Sequence, residues 1–324
     1  MPSSRLRVAI ACQGGGSFNA FTAGALLSLL EGRPEEVDYI GFSGTSGGGL
    51  CATLAWWASL QGEPAREASR LRTLWRENSA TQRWDQLWNH SLVKAVKLSS
   101  FLPMPTLSPY RYPEVASAAL RTLLERNIPF EDFPPRLRPG QPHLYIGAVN
   151  VLSGEFKAFA NNEFGCEVSC EALLASAALP EIFRSVRVGE SLYWDGLFSQ
   201  NPPVRELTEL APDELWLIRI NPVTRDSEPT SVEEIRERKN ELAGNLSLQQ
   251  EIRQIETING LLASGALQGT HYRPITIRSV ALDAGFRHRS KLDRSIHLME
   301  ALMEHGQEQG RRFLETRAEL FTSS

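Results

Sequence analysis

The segment Tyr39-Ile40-Gly41-Phe42-Ser43-Gly44-Thr45-Ser46-Gly47-Gly48 runs from an apolar strand-like stretch into a glycine cluster. Leu50 to Leu60 follows, rich in Ala, Leu and Trp, and reads as a helix. Gly44-Thr45-Ser46-Gly47-Gly48 fits G-x-S-x-G, a sharp strand-to-helix turn that lifts one serine hydroxyl clear of the backbone. Glycines flank the serine because such a turn is strained and larger neighbours would clash. A plain glycine-rich turn is the alternative reading.

A second glycine cluster lies upstream. Arg5–Cys12 reads as a strand, Gln13-Gly14-Gly15-Gly16-Ser17 as a loop and Phe21–Leu30 as a helix. Successive glycines free several N–H groups to aim at one point, and a helix N-terminus adds positive potential there. The loop can hold the oxyanion of an acyl-transfer intermediate, or be a tight structural turn. A nucleotide loop fits poorly: Asn19 stands where G-x-G-x-x-G needs glycine, and no G-x-x-x-x-G-K-[ST] occurs.

Strands and helices alternate along the first part of the chain, which predicts a three-layer α/β/α fold on a mostly parallel sheet. The division expected is a catalytic core over 1–225 and a mostly helical C-terminal region over 226–324, packed together as one structural domain. Strands are predicted at Leu144–Val149, Glu155–Phe159, Ser185–Val188, Ser191–Trp194, Glu214–Ile220 and Arg273–Val280. Helices are predicted at Pro64–Asn78, Gln82–Leu98, Glu114–Glu125, Ala172–Ala178, Thr230–Leu262 and Ser290–Leu320. In the long Thr230–Leu262 helix, Ile235, Leu242, Leu246, Ile252, Ile255 and Ile258 fall roughly on one side; both long helices read as core-packing, with a dimer or partner surface as the alternative. Ser99–Pro113, with Phe101, Leu102 and Met104, reads as a loop, either a lipid-contacting lid or a connector. Trp56, Trp57, Trp84 and Trp88 fit an acyl pocket or the core.

The 324 residues, 42% hydrophobic and 22% charged with a net charge of −4, suit a globular enzyme and give no footprint for nucleic acid. No leader peptide or membrane-spanning run is visible, so a cytoplasmic protein is expected, with peripheral membrane contact left open. Cys12, Cys51, Cys166 and Cys170 are expected to be buried free thiols, with no metal or other cofactor.

Ser46 needs a base. Of the six histidines, His90, His143, His271, His288, His297 and His305, none lies in a glycine- or proline-marked loop. His297 and His305 read as surface residues; His271 and His288 stay open as bases. The other candidate is Asp195, in Trp194-Asp195-Gly196 ahead of Asn201-Pro202-Pro203, where Trp194 would supply an apolar wall raising its pKa.

These blocks resemble the patatin-like phospholipases over about Arg5 to Leu207. Gly14-Gly15-Gly16 is similar to the family's oxyanion motif, Gly44–Gly48 to its elbow, Ala175-Ser176-Ala177-Ala178-Leu179-Pro180 with Phe183 to its A-S-x-A-x-P-x-x-F block, and Asp195-Gly196 with Asn201 to its D-G…N-x-P block. The resemblance implies a Ser46–Asp195 dyad without histidine. It also implies an oxyanion hole from the Gly14, Gly15, Gly16 and Gly47 region, with Gly15 and Gly16 as donors and Gly47 as a further one. The implied reaction is metal-free hydrolysis of lipid acyl esters. The Ser176–Pro180 block is read as packing. The chain departs from the pattern at Phe18 and Asn19, where the family carries a basic residue, and at Leu197, where it carries Gly or Ala. The alternatives are a histidine-dependent esterase or thioesterase, an acyltransferase, and a catalytically weak lipid-binding protein.

Overall fold

The computed structural model describes residues 5–79, 108–111, 114–180, 182–283, 286, 291 and 293–322. The Gln82–Leu98 helix, the Phe101–Met104 lid, Trp84, Trp88, His90 and His288 lie outside them. Among the described residues, nine strands form one sheet in the order β5-β4-β3-β2-β1-β8-β9, with β7 on β3 and β6 on β7. They are β1 Leu6–Cys12, β2 Val37–Thr45, β3 His143–Asn150, β4 Phe156–Asn162, β5 Gly165–Cys166, β6 Val186–Val188, β7 Ser191–Asp195, β8 Glu214–Arg219 and β9 Thr276–Ala281. The helices are α1 Asn19–Glu31, α2 Gly47–Leu60, α3 Pro64–Asn78, α4 Val115–Asn127, α5 Cys170–Ser176, α6 Arg205–Thr208, α7 Val232–Ala263 and α8 Ile296–Thr322.

The middle of the sheet is parallel: β1 pairs with β2 and β8, β2 with β3, and β8 with β9. Strands β4, β5, β6 and β7 pair antiparallel. The predicted α/β fold with a mostly parallel sheet is therefore the fold observed. A strand covered on both faces reads as an unbroken apolar run, which is why Val8-Ala9-Ile10-Ala11-Cys12 carries no polar residue and is wholly buried.

Side chains alternate along each strand and divide the core in two. Val8, Ile10, Phe42, Ile146, Trp216 and Ile218 face α1, α2, α3, α5 and α8. Ala9, Ala11, Tyr145, Leu215 and Leu217 face Val204, Leu207 of α6 and Leu248 and Ile255 of α7. Each large apolar side chain taken fully from water contributes roughly 1.5–3 kcal/mol. Trp56 and Trp57 belong to the first layer and are core residues; the Trp56 Nε1 donates to the Pro142 carbonyl at 2.7 Å.

Helices α1 and α8 cross closely because small residues line the crossing. A Cβ on Gly24 would meet the Met303 carbonyl, and one on Gly306 the Phe21 carbonyl. Ser28 Oγ donates to the Gln307 carbonyl at 2.8 Å across the same seam.

Three expectations need correction. In α7 the apolar side divides: Ile255 is buried and Ile252 packs on the second core layer, while Ile235, Leu242 and Leu246 are exposed. That half of the helix meets polar loops and not the sheet. His305 is not a surface residue, since its ring lies between those of Phe21 and Phe286. All four cysteines are free; Cys12, Cys51 and Cys170 are buried, but Cys166 is exposed.

Candidate active site

Strand β2 ends where β7 ends. Thr45 is opposite Gly147 on β3, and Asp195 is opposite Ala148, the next residue of the same strand. Because β4 occupies the other edge of β3, β2 and β7 approach head to head along one edge. Ser46 and Asp195, 149 positions apart in sequence by subtraction of their numbers, thus become neighbours. A Cβ on Gly196 would lie 2.6 Å from the Gly147 carbonyl and 2.8 Å from Thr45 Cγ2; only glycine lets the strand ends abut.

Ser46 has φ 55° and ψ −132°, one of two non-glycine residues with positive φ among those described. A side chain held there costs on the order of 1–3 kcal/mol. Neighbouring contacts hold it: the Ser46 amide donates to Ser176 Oγ at 2.9 Å, and Ser176 Oγ donates to the Gly147 carbonyl at 2.7 Å. Ser176 is fully buried. Its block packs beside the site, as the sequence suggests, and its hydroxyl adds a bracket between the elbow and β3. The carbonyl of Ser46 begins helix α2 by accepting from Gly49 and Leu50.

Asp195 is buried. Burial pushes its carboxyl up to about 7, against the pull of the Leu197 amide and of the Ser46 side chain, both of which hydrogen-bond the charged form and lower it. The Leu197 amide donates to Asp195 Oδ1 at 2.8 Å. Trp194 is not the wall that raises it, since adjacent strand residues point to opposite faces. Among the described histidines, His143 pairs with Tyr145, His271 stacks on Tyr272, His305 faces Asp283 and His297 is exposed.

The glycine loop is held by amide side chains. The Gly14 amide donates to Asn201 Oδ1 at 2.7 Å and the Gly15 amide to Asn19 Oδ1 at 2.9 Å. Those two N–H groups are engaged. The amides of Gly16 and of Gly47, the first residue of α2, have no partner among the described hydrogen bonds. Gly16 has φ +60°, and a Cβ on it would lie 2.5 Å from the Lys291 carbonyl, which accepts from the Ser17 amide at 2.9 Å.

The departures from the family pattern have structural counterparts. Phe18 is a core residue. Asn19 clasps the loop, donating to the Gln13 carbonyl at 2.7 Å as well as accepting from Gly15. Leu197 packs against α7 where Gly244 leaves room: a Cβ there would be 2.7 Å from Leu197 Cδ1. Gln13, buried, accepts from the Ile220 and Asn221 amides and donates to Asn245 Oδ1 at 2.8 Å. No motif in the sequence marks Gln13, Asn221 or Asn245, because each matters only through a partner far away in the chain.

The Patatin family profile, described as patatin-like phospholipase, matches residues 10–208. The chain belongs to the patatin-like phospholipase family. The profile spans the glycine loop, the elbow, the Ser176 block and Asp195. No curated protein sequence matches this patatin-like chain. Among solved structures it is similar to VipD from Legionella pneumophila, at 12% identity and TM-score 0.38 over 97% of this chain and 67% of that one. It is also similar to the type III effector ExoU, at 14% identity and TM-score 0.37 over 98% and 54%, and to ExoU of Pseudomonas aeruginosa in its complex with SpcU, at 15% and 0.37 over 97% and 52%. The patatin-like chain thus spans about half to two thirds of the length of these proteins.

Proposed function

We propose that the protein hydrolyses acyl esters of lipids with Ser46 as nucleophile and Asp195 as its base. The observation that carries this reading is a buried carboxyl, ionising near neutral pH, with the Ser46 side chain as its hydrogen-bond partner. Membership of the patatin-like phospholipases supports the lipid substrate class.

Ser46 Oγ attacks the ester carbonyl while Asp195 takes the hydroxyl proton. The carbonyl oxygen gains the negative charge, and the amides of Gly16 and Gly47, the two of the four glycines whose N–H has no partner among the described hydrogen bonds, stabilise it. Each such donor is worth roughly 3 kcal/mol in the transition state. The C–O bond to the alcohol then breaks, and the alcohol leaves with the proton from Asp195. Water attacks the acyl-enzyme by the same route, and the fatty acid is released. A carboxylate with an ordinary pKa is too weak a base for this step; one raised to about 7 is matched to it.

Purified protein assayed against acyl esters of varied chain length and head group, with Ser46→Ala as blank, tests the proposal. The substitution should lower kcat by at least about a thousandfold, as loss of a serine nucleophile does. Activity kept by Ser46→Ala would reject it.

A further inference from the structure

Between Val232 and Arg253, α7 carries hydrogen-bonding groups on its inner side, beside the buried Leu248, and an exposed apolar stripe on its outer side. Its inner side meets the site through hydrogen bonds. Asn245 Oδ1 accepts from Gln13 at 2.8 Å, Ser247 Oγ from the Asn201 amide at 3.3 Å, and the Glu251 carboxylate from Gln200 and from the Val204 amide at 3.2 Å each. Glu241 is buried between Arg225 and Arg238. The outer side carries Val232, Ile235, Leu242 and Leu246, exposed at 52%, 45%, 53% and 62%. Arg236, Lys239, Gln250 and Arg253 are exposed with them. At about 100° per residue these eight positions share an arc of roughly 120°. Glu234, Glu237, Glu241 and Glu251 all fall outside that arc. An ordinary surface helix turns its apolar stripe inward; this one presents to water an apolar stripe whose only charges are positive.

We propose that this face of α7 docks on an anionic lipid bilayer. An apolar stripe bordered by Lys and Arg is complementary to negatively charged head groups above an acyl layer. A second copy of the chain fits less well, because a two-fold contact would press the same basic stripe against itself, with no carboxylate in it to pair Arg236, Lys239 and Arg253. The inner side of the same stretch touches the glycine-loop support Gln13 and the Asp195 turn at Leu197, so docking holds the site close to the bilayer. The choice of lipid as occupant rests on the lipid-hydrolase reading above; the surface itself does not depend on catalysis.

The test uses the full chain carrying Ser46→Ala, so that vesicles stay intact, in sedimentation with vesicles of phosphatidylcholine alone or with added phosphatidylserine. Binding to phosphatidylserine vesicles should weaken as salt rises. It should fall about tenfold or more when Leu242→Ser and Leu246→Ser are combined, and again when Lys239→Glu and Arg253→Glu are combined. Equal binding by all three proteins overturns the proposal. So does a wild-type dimer that the two serine substitutions convert to monomer. Hydrolysis of a water-soluble acyl ester by the leucine variants, with Ser46 intact, should stay at the wild-type rate, which also shows that they fold. Absence of that hydrolysis in wild type would count against the catalytic reading and leave the vesicle result standing by itself.

Discussion

Under the proposed mechanism, Asp195 carries opposite demands from stability and from chemistry. Its carboxyl is raised to about 7 by burial, so between an ordinary aspartate pKa and 7 the folded chain holds a proton that the unfolded chain has released. Stability therefore falls as pH rises through that window, by about 1.4 kcal/mol for each unit of difference, and the full cost is present above 7. Asp195→Asn removes it, and an asparagine oxygen can still accept from the Leu197 amide. The substituted protein should be more stable than wild type at pH 8 by a few kcal/mol, and should lose this advantage toward pH 4. Glu251, also raised to about 7 by burial, and Glu206, raised as well, add slope of the same sign. The difference between the two proteins isolates Asp195. Denaturant unfolding at a series of pH values measures it; equal stability at pH 8 would mean that the carboxyl is not buried as described.

Among the elements, two helical glycines have opposite meanings. Gly306 sits in the α1–α8 crossing against the Phe21 carbonyl, whereas nothing lies within 4 Å of a Cβ on Gly260 in α7. Gly306→Leu must force the helices apart and should cost about 3 kcal/mol or more. Gly260→Ala should stabilise by roughly 0.5–1 kcal/mol through helix propensity. Thermal or denaturant melts of the two variants should move in opposite directions; a shared direction would refute the close crossing. The sequence could not distinguish them, since both glycines interrupt a helical pattern. The same limit explains α7: the spacing of Ile235, Leu242, Leu246, Ile252, Ile255 and Ile258 reveals a face, but not what covers it. Strands read better. Burial on both sides leaves an unbroken apolar run, as in β1, and the order of strands and helices fixes a parallel sheet.

The whole molecule brings together what motifs only name. Ser46 and Asp195 stood out because a strained turn and an Asp-Gly turn need particular residues. The bracket at Ser176, the clasps at Asn19 and Asn201, and the Lys291 carbonyl behind Gly16 were not legible as such. Each is a hydrogen bond closed by the fold, the Gly14–Asn201 bond across 187 residues among them. That the Gly14 and Gly15 amides are already engaged, which leaves Gly16 and Gly47 as the donors of the proposed mechanism, could come only from the folded structure. No described helix is long and apolar enough to cross a membrane. Covalent labelling of Ser46 by a fluorophosphonate, followed as a rate against pH, probes the proposed dyad without requiring the natural substrate. The rate should rise through a pKa of about 7 in wild type, nearly vanish in Asp195→Asn, and persist when each of the six histidines is replaced by alanine. Undiminished labelling in Asp195→Asn, or its loss on removing a single histidine, would show that some other group activates Ser46.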